Sequence, residues 1–233
     1  MNAIEEPSGY SVSLCHTIGL GLEAFLGMEK LNIEFVPVTA ADRFEAITNG
    51  KIDLLCGATT VTLSRREKVD FSIPTFVDGA GVMFHKDGPS SFDQLAGRNV
   101  GVRANTTTEV SLTNTLKKLE IEAEIISVTD HEKALEMIES RQLDAYFADR
   151  AILMYLIAGR QVTNLTISPE NFTIEPYALA MARGDSDFRL AVDRALSQIY
   201  RSGVIVKIFR QSFGNVEPSQ SVQVLYMISA LPN

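Results

Sequence analysis

Residues 124–150 read EIISVTDHEKALEMIESRQLDAYFADR. Glu124–Val128 is a β-branched run, as an extended strand requires. Asp130 is a helix-capping residue type, and Ala134, Leu135 and Ile138 then recur on one helical face as far as Ser140. Ala145–Ala148 is a second apolar run, and it stops on Asp149. A strand, a helix and a second strand in so short a space make an α/β unit with largely parallel strands.

The same order occurs earlier in the chain. Phe35-Val-Pro-Val-Thr39 is followed by a short helical pattern over Ala41–Asn49, then by Gly50-Lys-Ile-Asp53-Leu-Leu. Both copies run strand, threonine, helix, basic residue, Asp, strand. Either α/β units simply look alike, or the chain has two related lobes with a small sheet each. Strands are also expected at Ile33–Val38, Ile52–Cys56, Gly81–His85, Asn99–Val102 and Tyr177–Ala182. Helices are expected over Gly9–Leu26, Thr108–Leu119, from Ser186 to Gly203 and over Val204–Phe213. Leu14, Ile18, Leu22, Phe25 and Leu26 share the inward face of the first of these.

The 233 residues are 45% hydrophobic, enough for a sizeable core in one large or two small domains. Twenty-nine acidic against 21 basic residues leave a net charge of −8, which repels phosphate backbones and argues against a nucleic-acid partner. No apolar run approaches the length of a membrane span, and Met1 is followed by Asn-Ala-Ile-Glu-Glu-Pro with no basic-then-apolar leader. Cys15, Cys56, His16, His85 and His131 show no metal-ligand spacing, so no metal site is expected. The two cysteines are either buried thiols or a Cys15–Cys56 disulfide, which would suit an oxidising compartment. No nucleophile elbow, triad ordering or cofactor fingerprint is present.

Four places could carry chemistry. Cys56-Gly-Ala-Thr-Thr60-Val-Thr62-Leu-Ser-Arg65 leaves a strand and enters a hydroxyl-rich helix start, where N–H groups and an arginine attract a carboxylate. Val100-Gly-Val-Arg103-Ala-Asn105-Thr106-Thr107-Thr108 repeats that arrangement without the ending of a phosphate loop. Asp149 follows an apolar strand and either caps a helix or holds an ammonium group. His131 stands at a helix start, where a plain first-turn residue is the competing reading. Together these lead us to expect a bilobed α/β protein that binds a small ligand carrying a carboxylate and an ammonium, a binding protein rather than an enzyme.

Several segments carry a resemblance. Gly9-Tyr-Ser-Val-Ser-Leu-Cys15, Asp53-Leu-Leu-Cys-Gly-Ala-Thr-Thr60, Thr62-Leu-Ser-Arg65, Val69-Asp-Phe-Ser-Ile-Pro74 and Leu95-Ala-Gly-Arg-Asn-Val-Gly101 are similar to bacterial extracellular solute-binding proteins of family 3. The branch they resemble is the glutamate/aspartate-binding one of ABC importers. The resemblance implies a type II periplasmic-binding-protein fold, with two Rossmann-like lobes joined by two crossover strands. One lobe would be 1–84 plus 181–233 and the other 85–180, closing on a ligand in the interlobe cleft by a hinge motion.

Carried over by position, Arg65 would clamp the ligand α-carboxylate with Thr60 and the N–H groups around Thr106 and Thr107. Asp149 would hold the α-ammonium, helped by the Ala58 carbonyl. Arg103 would select the ligand side chain and His131 would touch it; Arg103, alone or as a cationic pair with His131, would favour glutamate or aspartate. The partners implied are an amino acid and the membrane permease subunits of an ABC importer, with no cofactor. The implied location is periplasmic, or cytoplasmic if Met1 is the genuine start.

Three departures stand out. Ser13 replaces the family's usual Asp. Asn105 replaces a glycine in a tight turn, and asparagine is the next best residue for a positive φ. The family's first β-strand, between those matching Ile33–Val38 and Ile52–Cys56, has no counterpart here. That slot is expected to be filled by rearranged strands or by a partner subunit's segment in a strand-swapped homodimer. Two further readings go with the resemblance: a repurposed sensory or interaction module, and a lyase like the cyclohexadienyl dehydratases that share the fold.

Overall fold

The structure is a computed structural model that describes residues 7–214 and 216–232. The chain divides into two compact units, one formed by the chain up to Val77 together with the chain from Pro176 onward, the other by Asp78–Glu175. The first unit opens with α1 (Tyr10–Leu26), α2 (Arg43–Thr48), β1 (Leu54–Leu55), α3 (Leu63–Arg66) and β2 (Val69–Phe71). β3 (Phe76–Asp78) leads into the second unit, which holds β4 (Ala80–His85), β5 (Asn99–Arg103), α4 (Thr107–Lys118), β6 (Glu124–Val128), α5 (His131–Glu139), β7 (Ala145–Asp149), α6 (Arg150–Gly159) and β8 (Leu165–Ile167). β9 (Glu175–Tyr177) leads back and pairs with β3. The chain ends with β10 (Ala180–Ala182), α7 (Ser186–Arg201), α8 (Val204–Phe213) and α9 (Gln220–Ser229).

The second unit is a five-stranded sheet in the order β6-β5-β7-β4-β8. β5 runs parallel to both β6 and β7, while β4 is antiparallel to both β7 and β8. Helices cover both faces, so the central strands are apolar on both sides. In β7, Ala145 and Phe147 face the core made with Leu112 and Leu116 of α4 and with Phe92 and Leu95. Tyr146 and Ala148 face the opposite core, with Ala134, Leu135 and Ile138 of α5 and Leu153 and Leu156 of α6. This is the two-residue alternation of a strand. Asp130 caps α5 by accepting from the Lys133 N–H at 2.7 Å.

The first unit corrects the expectation of largely parallel strands. Its sheet has the order β1-β10-β2, and β10 is antiparallel to both neighbours. The returning chain re-enters between two strands laid down earlier and runs against both. Leu55, Val69, Phe71, Ala178, Ala180 and Ile47 of α2 form the core here. A second correction concerns Ile33–Val38, which belongs to no strand among the described residues. Its β-branched composition suits a strand, but a strand exists only where a neighbour supplies ladder hydrogen bonds. The single run Tyr177–Ala182 is divided between β9 and β10.

α1 buries Leu14, Cys15, Ile18 and Leu22 as its period requires. Phe25 and Leu26, expected on the same face, are 55% and 56% exposed. In this last turn the Arg194 guanidinium lies 5.1 Å from the Phe25 ring centroid, so a cation covers the aromatic face that no core reaches. At the other end, the Tyr10 hydroxyl donates to the Thr75 carbonyl at 2.8 Å and meets Tyr226 of α9 at 2.8 Å.

Cys15 of α1 and Cys56 after β1 form a disulfide across 41 positions, which decides between the two cysteine readings. Closing a loop of that size restricts the unfolded chain by roughly 3–4 kcal/mol. Reduction, or the Cys15→Ala/Cys56→Ala pair, is expected to lower unfolding stability by about that amount. Chemical denaturation with and without reductant checks this, and coincident midpoints would count against it.

Candidate functional site

In the first unit Arg65 and its neighbour Arg43 meet at one aromatic ring, Phe44. Thr62 caps α3 by accepting from the Arg65 N–H at 3.1 Å. That cap fixes where Arg65 leaves the backbone, and its guanidinium donates to the Thr60 carbonyl at 2.7 Å. The same guanidinium lies over Phe44 at 5.2 Å, and Arg43 lies over that ring at 5.1 Å. Thr60 bridges Tyr177, and the Val61 N–H donates to the Pro176 carbonyl at 2.8 Å, so the segment is tied to the returning chain. Arg65 is thus held by the Thr60 carbonyl and by the Phe44 ring. The Ala58 carbonyl, expected to assist an ammonium, here accepts from Arg43 at 3.3 Å. Sequence reading missed Arg43 and Phe44, because they lie in α2 and nothing in their spacing points at residues 58–65.

In the second unit β5 delivers Arg103 and then turns. Asn105 takes a φ of 60°, the left-handed conformation expected of this position. Thr106 caps α4, accepting from the Glu109 N–H at 3.1 Å, while Glu109 accepts from the Asn105 N–H at 2.9 Å. The next two hydroxyls point to carboxylates. Thr107 donates to Glu175 at 3.0 Å and Thr108 donates to Asp149 at 2.8 Å. Both carboxylates are buried, Asp149 at 8% exposure and Glu175 at 4%. Thr108 and Glu175 were not singled out from the sequence. The Thr-Thr-Thr run displayed the hydroxyls, but which one points inward depends on the turn of the helix.

Arg103 and His131 also meet. An Arg103 nitrogen lies 3.3 Å from His131 Nε2, and His131 Nδ1 lies 2.7 Å from the Tyr146 hydroxyl. Arginine only donates, so Nε2 accepts and the neutral ring carries its proton on Nδ1, donating to Tyr146. Burial and the neighbouring Arg103 charge push the His131 pKa down to about 4, against a smaller upward pull from Asp130. The expected cationic pair is therefore one cation, Arg103, oriented by a neutral histidine. A second positive charge beside a guanidinium in a poorly hydrated place is too costly. Tyr146, which accepts from His131 Nδ1, was missed, though a lone tyrosine within an apolar strand is the signal that would have found it.

Among the described residues no group of His, Cys, Asp or Glu could hold a metal ion, and no helix is long and apolar enough to cross a membrane.

Residues 1–215 match the family model of the bacterial extracellular solute-binding proteins, family 3. The chain belongs to this family. It is similar to an L-glutamate/L-aspartate-binding protein of Pseudomonas aeruginosa, with 30% identity over 230 residues, 96% of this chain and 75% of that one. A glutamate/aspartate import solute-binding protein of Salmonella typhimurium is 28% identical over 229 residues, 95% of this chain and 74% of that one. Among solved structures, an ancestral arginine-binding protein bound to glutamine superposes with a TM-score of 0.76 at 27% identity, covering 89% of this chain and 88% of that one. The fold is that of the type II periplasmic binding proteins, and a family 3 solute-binding protein is a binding protein, not an enzyme.

The His131 assignment has a pH consequence. Its pKa in the fold lies below the ordinary value of 6.5, so between about pH 6.5 and 4 the unfolded chain takes up a proton that the folded one refuses. Stability is therefore expected to fall as pH drops through that window, by up to about 3 kcal/mol from this residue. In His131→Gln that part of the slope should vanish. Denaturation midpoints of both proteins at pH 7 and pH 4.5 check this, and an NMR titration showing His131 protonated at pH 6 would sink it.

Proposed function

We propose that this family 3 protein captures a single amino acid with an acidic side chain and presents it to the membrane permease subunits of an ABC importer. The observation that carries the reading is the pair of opposite anchors in the second unit. Asp149 is a buried carboxylate steadied by a hydroxyl, suited to an α-ammonium. Arg103 is a guanidinium steadied by His131 and by the Thr129 carbonyl, suited to a side-chain carboxylate. Arg65, preset by Thr60 and Phe44, would take the α-carboxylate with the N–H groups at Thr106 and Thr107.

The relatives support the acidic choice. Two of those most similar in sequence carry names for glutamate and aspartate. Solved structures of the fold hold arginine and glutamine as well, so the fold itself does not select. Arg103 disfavours a cationic side chain by like-charge repulsion. Action outside the cytoplasm accords with an extracellular family and with the Cys15–Cys56 disulfide.

Calorimetric titration against the twenty amino acids is the test. Glutamate or aspartate is expected to bind tightest. Arg65→Ala and Asp149→Asn should each weaken binding by about 100-fold, as for a truncated buried charge pair. Arg103→Ala should erase the preference for glutamate over glutamine. Tightest binding of arginine, or silence for every amino acid, would overturn the proposal.

A further inference from the structure

One acidic residue in the second unit has no part in the reading so far. Asp78 closes β3 and is half-buried. Its Oδ1 accepts from the Gly79 N–H at 2.8 Å, and its Oδ2 accepts from the Ala151 N–H at 3.0 Å. Ala151 is the second residue of α6, whose cap position is Asp149. A capping aspartate ordinarily accepts from the N–H two or three residues on. Asp149 does not cap its own helix with its side chain. The bond it would make to Ala151 is made by Asp78 instead, and the Asp149 carboxylate takes the Thr108 hydroxyl.

The arrangement is locked by backbone. The Arg150 N–H donates to the Gly79 carbonyl at 2.9 Å, so residues 78 and 79 together satisfy the first two N–H groups of α6. Ala80 sits directly opposite Asp149 in the ladder between β4 and β7, which brings residues 78 and 79 to the helix start. The Ala80 N–H donates to the Thr173 hydroxyl at 2.8 Å, and that hydroxyl donates to Glu175 at 2.9 Å. A Cβ added at Gly79 would lie 2.3 Å from the Thr173 carbonyl oxygen, so the segment has no room to move that way.

The geometry points to Asp78 as a positioning residue: it caps α6 in place of Asp149, and so sets the orientation, toward Thr108, in which the Asp149 carboxylate meets the ammonium group of the amino acid. This rests on the role given to Asp149 above. Asp78 also has a distinct pH signature. Burial, reinforced by the charges of Asp149 and Glu175, raises its pKa to about 6 against the pull of its two N–H bonds. Arg150, whose backbone N–H donates to the Gly79 carbonyl, has its guanidinium on the Ser168 carbonyl. Protonation of Asp78 removes an acceptor oxygen from the cap.

The test uses Asp78→Asn, which keeps the shape but turns one acceptor into a donor. In ligand-free protein, amide exchange at Ala151 is expected to speed up. Affinity for the amino acid that the wild type binds is expected to fall about tenfold, and this loss should vanish when Asp149→Asn is already present, since the two act through one group. The weakening of wild-type binding as pH falls through about 6 should be absent in Asp78→Asn. Unchanged Ala151 exchange, unchanged affinity, or a loss that persists in the Asp149→Asn background would each overturn the inference. Should the variant not fold, the wild-type pH profile decides, and a flat profile between pH 7 and 5 overturns it. A wild-type protein that binds no amino acid overturns the ligand reading instead, while faster exchange at Ala151 would still mark Asp78 as the cap of α6.

Discussion

A strand covered on both faces cannot carry polar side chains along its length, so its chemistry is pushed to its end. β7 is such a strand. All five of its residues are buried, alternating between the core of α4 and the core of α5 and α6. Its first four residues contribute apolar surface and one tyrosine whose hydroxyl finds a partner. The fifth is Asp149, where the strand gives way to a helix and where N–H donors become available. The placement of the charged residues in the second unit follows from that constraint, since β5 and α4 beside it face the same end.

Once a carboxylate is buried there, its surroundings must satisfy it. Small neutral groups take part in this. Thr108 holds Asp149, Thr107 and Thr173 hold Glu175, and backbone N–H groups hold Asp78. Hydroxyls and amides fix the geometry of a carboxylate without adding an opposite charge. Arg103 is treated in the same manner, steadied by a neutral imidazole and a carbonyl. In the first unit Arg65 receives a carbonyl and an aromatic face. In both units an uncharged hydrogen-bond partner or an aromatic face helps to orient a charged side chain.

The strand–helix–strand rhythm of residues 124–150 was legible because period and capping are local properties. β6, α5 and β7 fall where the pattern puts them. Ile33–Val38 failed as a strand because pairing is not local. Phe25 and Leu26 failed as core for a related reason: helical period says which residues share a face, not how far along the helix a neighbour extends. Among site residues, Arg65, Arg103, His131 and Asp149 were marked by type and by position at helix starts. Asp78 was invisible, since it serves a helix that begins 72 positions later, and only the ladder between β4 and β7 brings them together. The charge of His131 was misread because sequence gives a histidine its ordinary pKa, and burial beside Arg103 takes that away.

By itself the sequence determined the α/β class, the residues able to form helix caps, and the charged side chains available to a small polar ligand. Those follow from periodicity and side-chain chemistry, which each residue carries wherever it lies. The tertiary structure alone decided which hydroxyl meets which carboxylate, which histidine tautomer exists, how the cysteines pair and which acid caps α6. Each of these is a contact between segments far apart in the chain, and its energy depends on a burial that exists only after the chain has folded.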